Sequence, residues 1–261
     1  MELLLNDPYA YLDVFLLIIV RMLGVMLLMP FFSNRNIPAL GKLSITVFTS
    51  LILVNIVPLE LSVTSAEPIG YGILVIKEFL AGWLIGLSAY SVFAALTLAG
   101  QFIDYQIGFS MVNVFDPLSQ TNITITGNFY YFLYLMLFLV TRSYAYVFIA
   151  LKNSFTFIPI GEMVLSQYLY HSFIDFFNVF FLIALQISAP IFFVMLITNA
   201  VLGILARTVP KLNMFVIGFP IKIMLGLLIL YLLSYLFVNL SDLISDEFLR
   251  MMEVFIKGMS P

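Results

Sequence analysis

The sequence contains no cysteine and a single histidine, His171, in 261 residues. The first absence excludes disulfides, iron–sulfur clusters and thiolate metal sites, and the second excludes a histidine-rich metal centre. No cofactor is expected. Charge is also scarce. An ordinary soluble domain carries about 25% charged and roughly 45–50% apolar residues. Here the charged share is 10%, the hydrophobic share 63% and the mean hydropathy +1.12. So few charges cannot cover the surface of a soluble protein this size, which excludes a soluble enzyme and points to a polytopic membrane protein. A net charge of −3 without a basic block excludes nucleic acid as a partner. No nucleophile–base constellation stands out, and the G-x-S-x-G, H-E-x-x-H and phosphate-loop patterns are missing, so no enzyme is expected.

What the chain has in abundance is apolar sequence. Six blocks fall at about 10–32, 41–59, 71–99, 129–151, 173–199 and 213–240. Roughly 20 helical residues cross a bilayer core, so the second block is near the lower limit and the third and sixth exceed it. The expected fold is an all-α integral membrane protein of about six apolar helical segments. The first block contains Arg21, follows acidic residues and precedes no small-residue cleavage pattern, so it is expected to be a retained helix rather than a signal peptide. Arg35, Lys42, Arg207 and Lys211 lie in or at the edge of separators of one parity, while the separator with Glu60 and Glu67 has no base. If the basic separators face the cytoplasm, both ends of the chain lie outside. The acid-rich stretch Asp242 to Glu253 fits that placement.

Several residues inside or beside the blocks are candidates for structure or function. Arg21, Lys77, Glu78 and Lys222 are charges in apolar surroundings, where a charge is costly and needs a partner. The expectation is pairing with acids or bases of neighbouring subunits. Gly82 and Gly86 form a GxxxG pair that lets helix backbones approach. Pro190 and Pro220 interrupt the hydrogen bonding of the fifth and sixth blocks, which predicts kinked helical hairpins.

The separator 100–128 is long and apolar, with Phe109, Met111, Val114 and Phe115 between Gly108 and Pro117. Such a loop cannot lie bare in water. It packs on a partner or on lipid, or it occupies a pore, where bulky apolar side chains exclude ions. A small-solute carrier is a competing reading, but carriers are often built from paired repeats with broken helices at matching positions, and no repeat is evident.

The stretch Leu202 to Lys222, LGILARTVPKLNMFVIGFPIK, resembles the signature of the FliR/SctT family of type III secretion export-gate proteins. It carries Arg207, Pro210, Lys211, Asn213, Gly218 and Pro220, and its FVIGFP run is closer to the flagellar branch than to the virulence branch. Arg21, Pro30, Arg35…Pro38…Lys42 and Glu78…Gly82…Gly86 resemble the family's first half. Gly100…Gln106-Ile107-Gly108…Asp116-Pro117 resembles its central loop, and Pro159-Ile160-Gly161 and Ala189-Pro190 its second half. The resemblance implies a subunit of the flagellar export gate assembled with FliP and FliQ, beside FlhB and FlhA, in the bacterial inner membrane. It implies a FliP-like part over 1–172 and a FliQ-like hairpin over 173–261. It also implies a plug over about 106–124 that faces unfolded export substrates, with Gly108, Phe109, Met111, Val114 and Phe115 in the channel. Met111 stands where flagellar relatives often carry Phe. A virulence gate subunit is the alternative within the family.

Overall fold

A computed structural model describes residues 8–33, 37–57, 68–111, 124–211 and 213–261. Among them are eight helices and no strand: α1 (Pro8–Leu28), α2 (Pro30–Ser33), α3 (Ala39–Leu53), α4 (Pro68–Ile107), α5 (Ile125–Val140), α6 (Ser143–Phe157), α7 (Gln167–Thr208) and α8 (Met214–Gly258). The local reasons are visible. Pro8, Pro30 and Pro68 begin helices, where the missing N–H costs nothing. Gly108 follows α4 with φ +102°, a conformation open to glycine that ends a helix. Asn213 caps α8, its backbone and side-chain oxygens accepting the Val216 N–H at 3.0 and 3.4 Å.

Four of the described helices, α1, α4, α7 and α8, are long and apolar enough to cross a membrane, and α5 with α6 adds a fifth if counted as one broken span. This corrects the six-block reading at several points. The second block yields a helix of only 15 residues. The third runs eight residues into the expected separator, because 100–107 continues α4. The fourth is broken at Thr141–Arg142, where Arg142 takes φ +58° between two helices. The sixth continues through the acidic stretch as helix, because Ile244, Phe248, Met251, Met252 and Phe255 repeat at helical spacing and are buried. Pro190 and Pro220 lie within α7 and α8.

The chain divides into two compact units. One comprises 1–91, 142–177 and 246–261, and the other comprises 92–141 and 178–245. In the first, α1 turns Val14, Leu17, Ile18, Met22, Val25 and Met26 inward at three- and four-residue steps. It meets α4 through glycines. A Cβ at Gly24 would lie 2.6 Å from the Phe79 carbonyl oxygen, and one at Gly86 would lie 2.8 Å from the Val25 carbonyl oxygen. One at Gly82 would collide with the Arg21 carbonyl. The two backbones therefore touch with no side chain between them.

That approach encloses an ion pair. Arg21 is wholly buried and donates from Nε and Nη2 to the Glu78 carboxylate at 2.5 and 2.9 Å. Its remaining donors reach the carbonyls of Ser154, at 3.3 Å, and Ile158, at 3.0 Å, and its guanidinium carbon lies 4.1 Å from the centre of the Phe155 ring. Glu78 also accepts the Gly161 N–H at 2.8 Å, and Lys77 donates to the Gly161 carbonyl at 3.2 Å. The expected pairing of Arg21 and Glu78 with other subunits is thus corrected: the partners lie in the same chain, 57 residues apart. The physical reason is that a buried guanidinium must have its donors satisfied at once, and one carboxylate with two carbonyls does this within the unit.

The core of the second unit is aromatic. Phe93 makes edge contacts with Tyr131, Tyr134 and Phe138, and Tyr130 stacks on Phe237 at 4.8 Å. Such pairs contribute roughly 0.5–1.5 kcal/mol each beyond area burial.

Removing one member of a buried ion pair leaves an uncompensated charge and costs about 3–5 kcal/mol. Glu78→Ala should therefore lower the thermal stability of the detergent-solubilised protein by that amount. A loss of well under about 1 kcal/mol would mean that water or a rearranged partner replaces the carboxylate.

Candidate functional site

The residues singled out in the long separator and in the signature stretch meet in the second unit. α4 ends at Ile107, and the chain turns at Gly108, whose N–H donates to the Asp104 carbonyl at 3.0 Å. The Met111 N–H then returns to the Gly108 carbonyl at 3.0 Å. This turn faces the α7–α8 hairpin. A cavity of about 620 Å³ is lined from one side by Gln106, Gly108, Ser110 and Met111, and from the other by Asn199, Leu202, Gly218, Phe219 and Lys222. Lys222 is half-buried there. Gly108 is close enough to the hairpin that a Cβ would stand 2.9 Å from the Phe219 ring, and Gly218 faces Leu202, where a Cβ would meet Cδ1 at 3.2 Å.

Not all candidate residues gather at this place. Phe109 is half-buried in the turn. Arg207, Pro210, Lys211 and Asn213 are exposed around the turn that joins α7 to α8, and Pro220 is exposed on α8. Val114 and Phe115 lie outside the described residues. Gly82, Gly86, Arg21, Lys77 and Glu78 belong to the packing of the first unit and take no part in the cavity.

Sequence reasoning missed the polar contact at the base of the separator. Asp104 is buried in the last turns of α4, and both its carboxylate oxygens accept the Thr126 N–H at 3.2 Å. Oδ1 also accepts the Thr126 hydroxyl at 2.5 Å. Thr126 lies in the first turn of α5, whose N-cap residue Thr124 makes no side-chain cap of its own. Asp104 therefore satisfies, from another helix, an N–H that would otherwise have no partner, and its charge suits the positive end of α5. One turn earlier on α4, Gly100 sits where any Cβ would collide with the Gly127 backbone. The signal was present in the sequence as a lone acid four residues before Gly108, with Gly100 a turn before it.

The turn is built for glycine at one position. Gly108→Ala forces a side chain into φ +102° and against Phe219, and strain of this kind costs about 1–3 kcal/mol. The substitution should lower the melting temperature of the detergent-solubilised protein, and Phe219→Leu should restore only the steric part. Unchanged stability in Gly108→Ala would show that the turn relaxes without cost.

Comparison with known proteins places these elements in a family. The profile of the bacterial export proteins, family 1, matches residues 12–248. The flagellar biosynthetic protein FliR of Bacillus subtilis is 34% identical over 92% of this chain and 94% of its own length. Its namesake in Pectobacterium carotovorum is 29% identical over 87% and 89%, and that of Escherichia coli K12 is 26% identical over 91% and 95%. The match thus runs through α1, the α4 turn, the α7–α8 hairpin and most of α8, and with its long apolar helices this all-α membrane chain belongs to family 1 of the bacterial export proteins, alongside the flagellar FliR proteins.

Proposed function

We propose that the chain is a structural subunit of the flagellar type III secretion export gate, and that it forms part of the channel through which unfolded flagellar proteins cross the bacterial inner membrane. Family membership carries the role in flagellar export, and the relatives' shared name favours the flagellar over the virulence machine. The observation that carries the channel reading is the junction of the Gly108–Met111 turn with the signature hairpin at one cavity. A loop rooted beside that hairpin, with Gly108, Phe109, Met111, Val114 and Phe115 as its apolar content, acts as the plug of the closed pore. Bulky uncharged side chains exclude hydrated ions, yet each contact is weak enough for a passing polypeptide to displace.

The partners in this reading are FliP and FliQ, with FlhB and FlhA adjoining in the flagellar basal body. Residues 1–172 form the FliP-like part and 173–261 the FliQ-like hairpin. Exposed apolar surface supports an assembled state: only 11% of the residues in the Val216–Tyr235 window are buried within the chain. Water cannot cover such a helix, so lipid or another subunit does. Arg207 and Lys211 mark the cytoplasmic turn, and with an even number of crossings, as for the four long helices, both ends of the chain lie in the periplasm.

Two measurements test this. Shortening the 106–124 loop, or changing Met111, Val114 and Phe115 together to Gly, should leave the complex assembled with FliP and FliQ but leak ions and slow growth. An assembled complex that stays ion-tight would remove the plug. The chain has no native thiol, so a cysteine at Thr208 should react with an impermeant label only from the cytoplasmic side. Labelling confined to the periplasmic side would invert the topology.

A further inference from the structure

The loop leaves α4 and enters α5 through one polar contact, and we infer that this contact sets where the loop begins: Asp104, held by Thr126, is a positioning residue for Gly108, Phe109 and Met111. The inference rests on the plug reading for its consequence in ion retention, but its structural content stands apart from it.

Asp104 joins two constraints in one residue. Its carboxylate grips the first turn of α5 through the Thr126 N–H and hydroxyl, and its backbone carbonyl accepts the Gly108 N–H at 3.0 Å. A shift of the α4 backbone at Asp104 therefore disturbs both the grip on α5 and the turn that starts the loop. The two helices leave little slack for such a shift, because Gly100 meets the Gly127 backbone directly and Gly127 in turn approaches the Thr97 carbonyl. Beyond the turn, Gly226 packs on Ile107, so the end of α4 is wedged between α5 and α8. A buried acid is an expensive way to pack two apolar helices, since an alanine or leucine would need no partner. What the acid adds is direction. Hydrogen bonds fix the angle and register of α4 on α5, which dispersion contacts between glycines do not. The pair lies 22 residues apart and is buried, so it clamps the two ends of the separator to each other. An aspartate alone would not do this, because its charge needs the N–H and hydroxyl of Thr126 to be retained in apolar surroundings.

The test uses the chain co-expressed with its gate partners and carrying Ser110→Cys, a half-buried position in the turn and the only thiol in this chain. Thr126→Val removes the hydroxyl at nearly constant volume, Thr126→Ser keeps it, and Asp104→Asn removes the charge. The readout is the rate of maleimide labelling of this chain, resolved by mass. Loss of one ordinary hydrogen bond should raise that rate roughly fivefold in Thr126→Val. Asp104→Asn should do the same or more, with Thr126→Ser at the parental rate and assembly intact throughout. An unchanged rate in Thr126→Val overturns the positioning role. Failure of Thr126→Val and Asp104→Asn to assemble overturns it equally, leaving the pair as plain packing. Ion retention, measured alongside, separates the two readings. Faster labelling in an ion-tight membrane keeps the positioning role and removes the plug, whereas unchanged labelling with a leak from the shortened loop keeps the plug and removes the positioning role.

Discussion

The Arg21–Glu78 pair is the constraint on which the first unit depends. A guanidinium with almost no water contact must find a partner for each of its three nitrogens, and the surroundings offer few. One carboxylate and two carbonyls meet the need, and they come from α4 and from the chain around the end of α6. Three stretches distant in sequence are thereby held at fixed distances before any apolar packing is counted. The glycines at 24, 82 and 86 follow from this arrangement: α1 and α4 must come close enough for a short carboxylate to reach Arg21. The pair adds little net attraction after desolvation, and its value is that few other packings satisfy it.

The second unit applies the same rule with a lighter hand. Asp104 is buried and held by the N–H and hydroxyl of Thr126 in the first turn of α5, and the surrounding core is made of rings that stack or meet edge to face. Much of the rest of that unit is apolar and uncovered. α7 from Val201 to Thr208 is exposed apart from half-buried Leu202, and the first half of α8 alternates exposed and half-buried residues with little fully buried. For a membrane-resident export protein this is consistent: a bilayer covers such apolar surface, while Leu202, Gly218, Phe219 and Lys222 turn toward the cavity.

The extent to which this was legible in the sequence differs from element to element. The all-helical class, α1, and the prolines inside α7 and α8 followed from periodicity and length. The break at Arg142 did not, although Thr141, Arg142 and Ser143 interrupt the apolar run with three polar residues, because one left-handed residue suffices to end a helix and composition on either side is unchanged. The extension of α4 to Ile107 was hidden because Gln101, Asp104 and Gln106 look like loop residues until Thr126 is brought to Asp104. The partner of Arg21 was hidden for a similar reason. Both charges were visible in apolar blocks, but pattern reading has no register between segments 57 residues apart, so a neighbouring subunit seemed as good a source of the carboxylate. In the candidate site, the glycine at 108 and the hairpin motif could each be picked out, whereas their meeting at Phe219 could not. Long-range pairing is what a single sequence withholds.

One feature of the first unit concerns the order in which the chain is made. Its strands of sequence are 1–91, 142–177 and 246–261, so the last sixteen residues complete a core begun by the first helix. The Val164 N–H reaches the Met259 carbonyl, the Ser166 hydroxyl reaches the Gly258 carbonyl, and Phe248, Met251, Met252 and Phe255 are buried. Until residue 259 is made, Val164 and Ser166 lack these partners. Non-local closure of this kind slows folding and prolongs the exposure of apolar surface. A chain that lacks the last turns of α8 therefore leaves the core begun by α1 open, so those turns serve as the closing piece of the first unit.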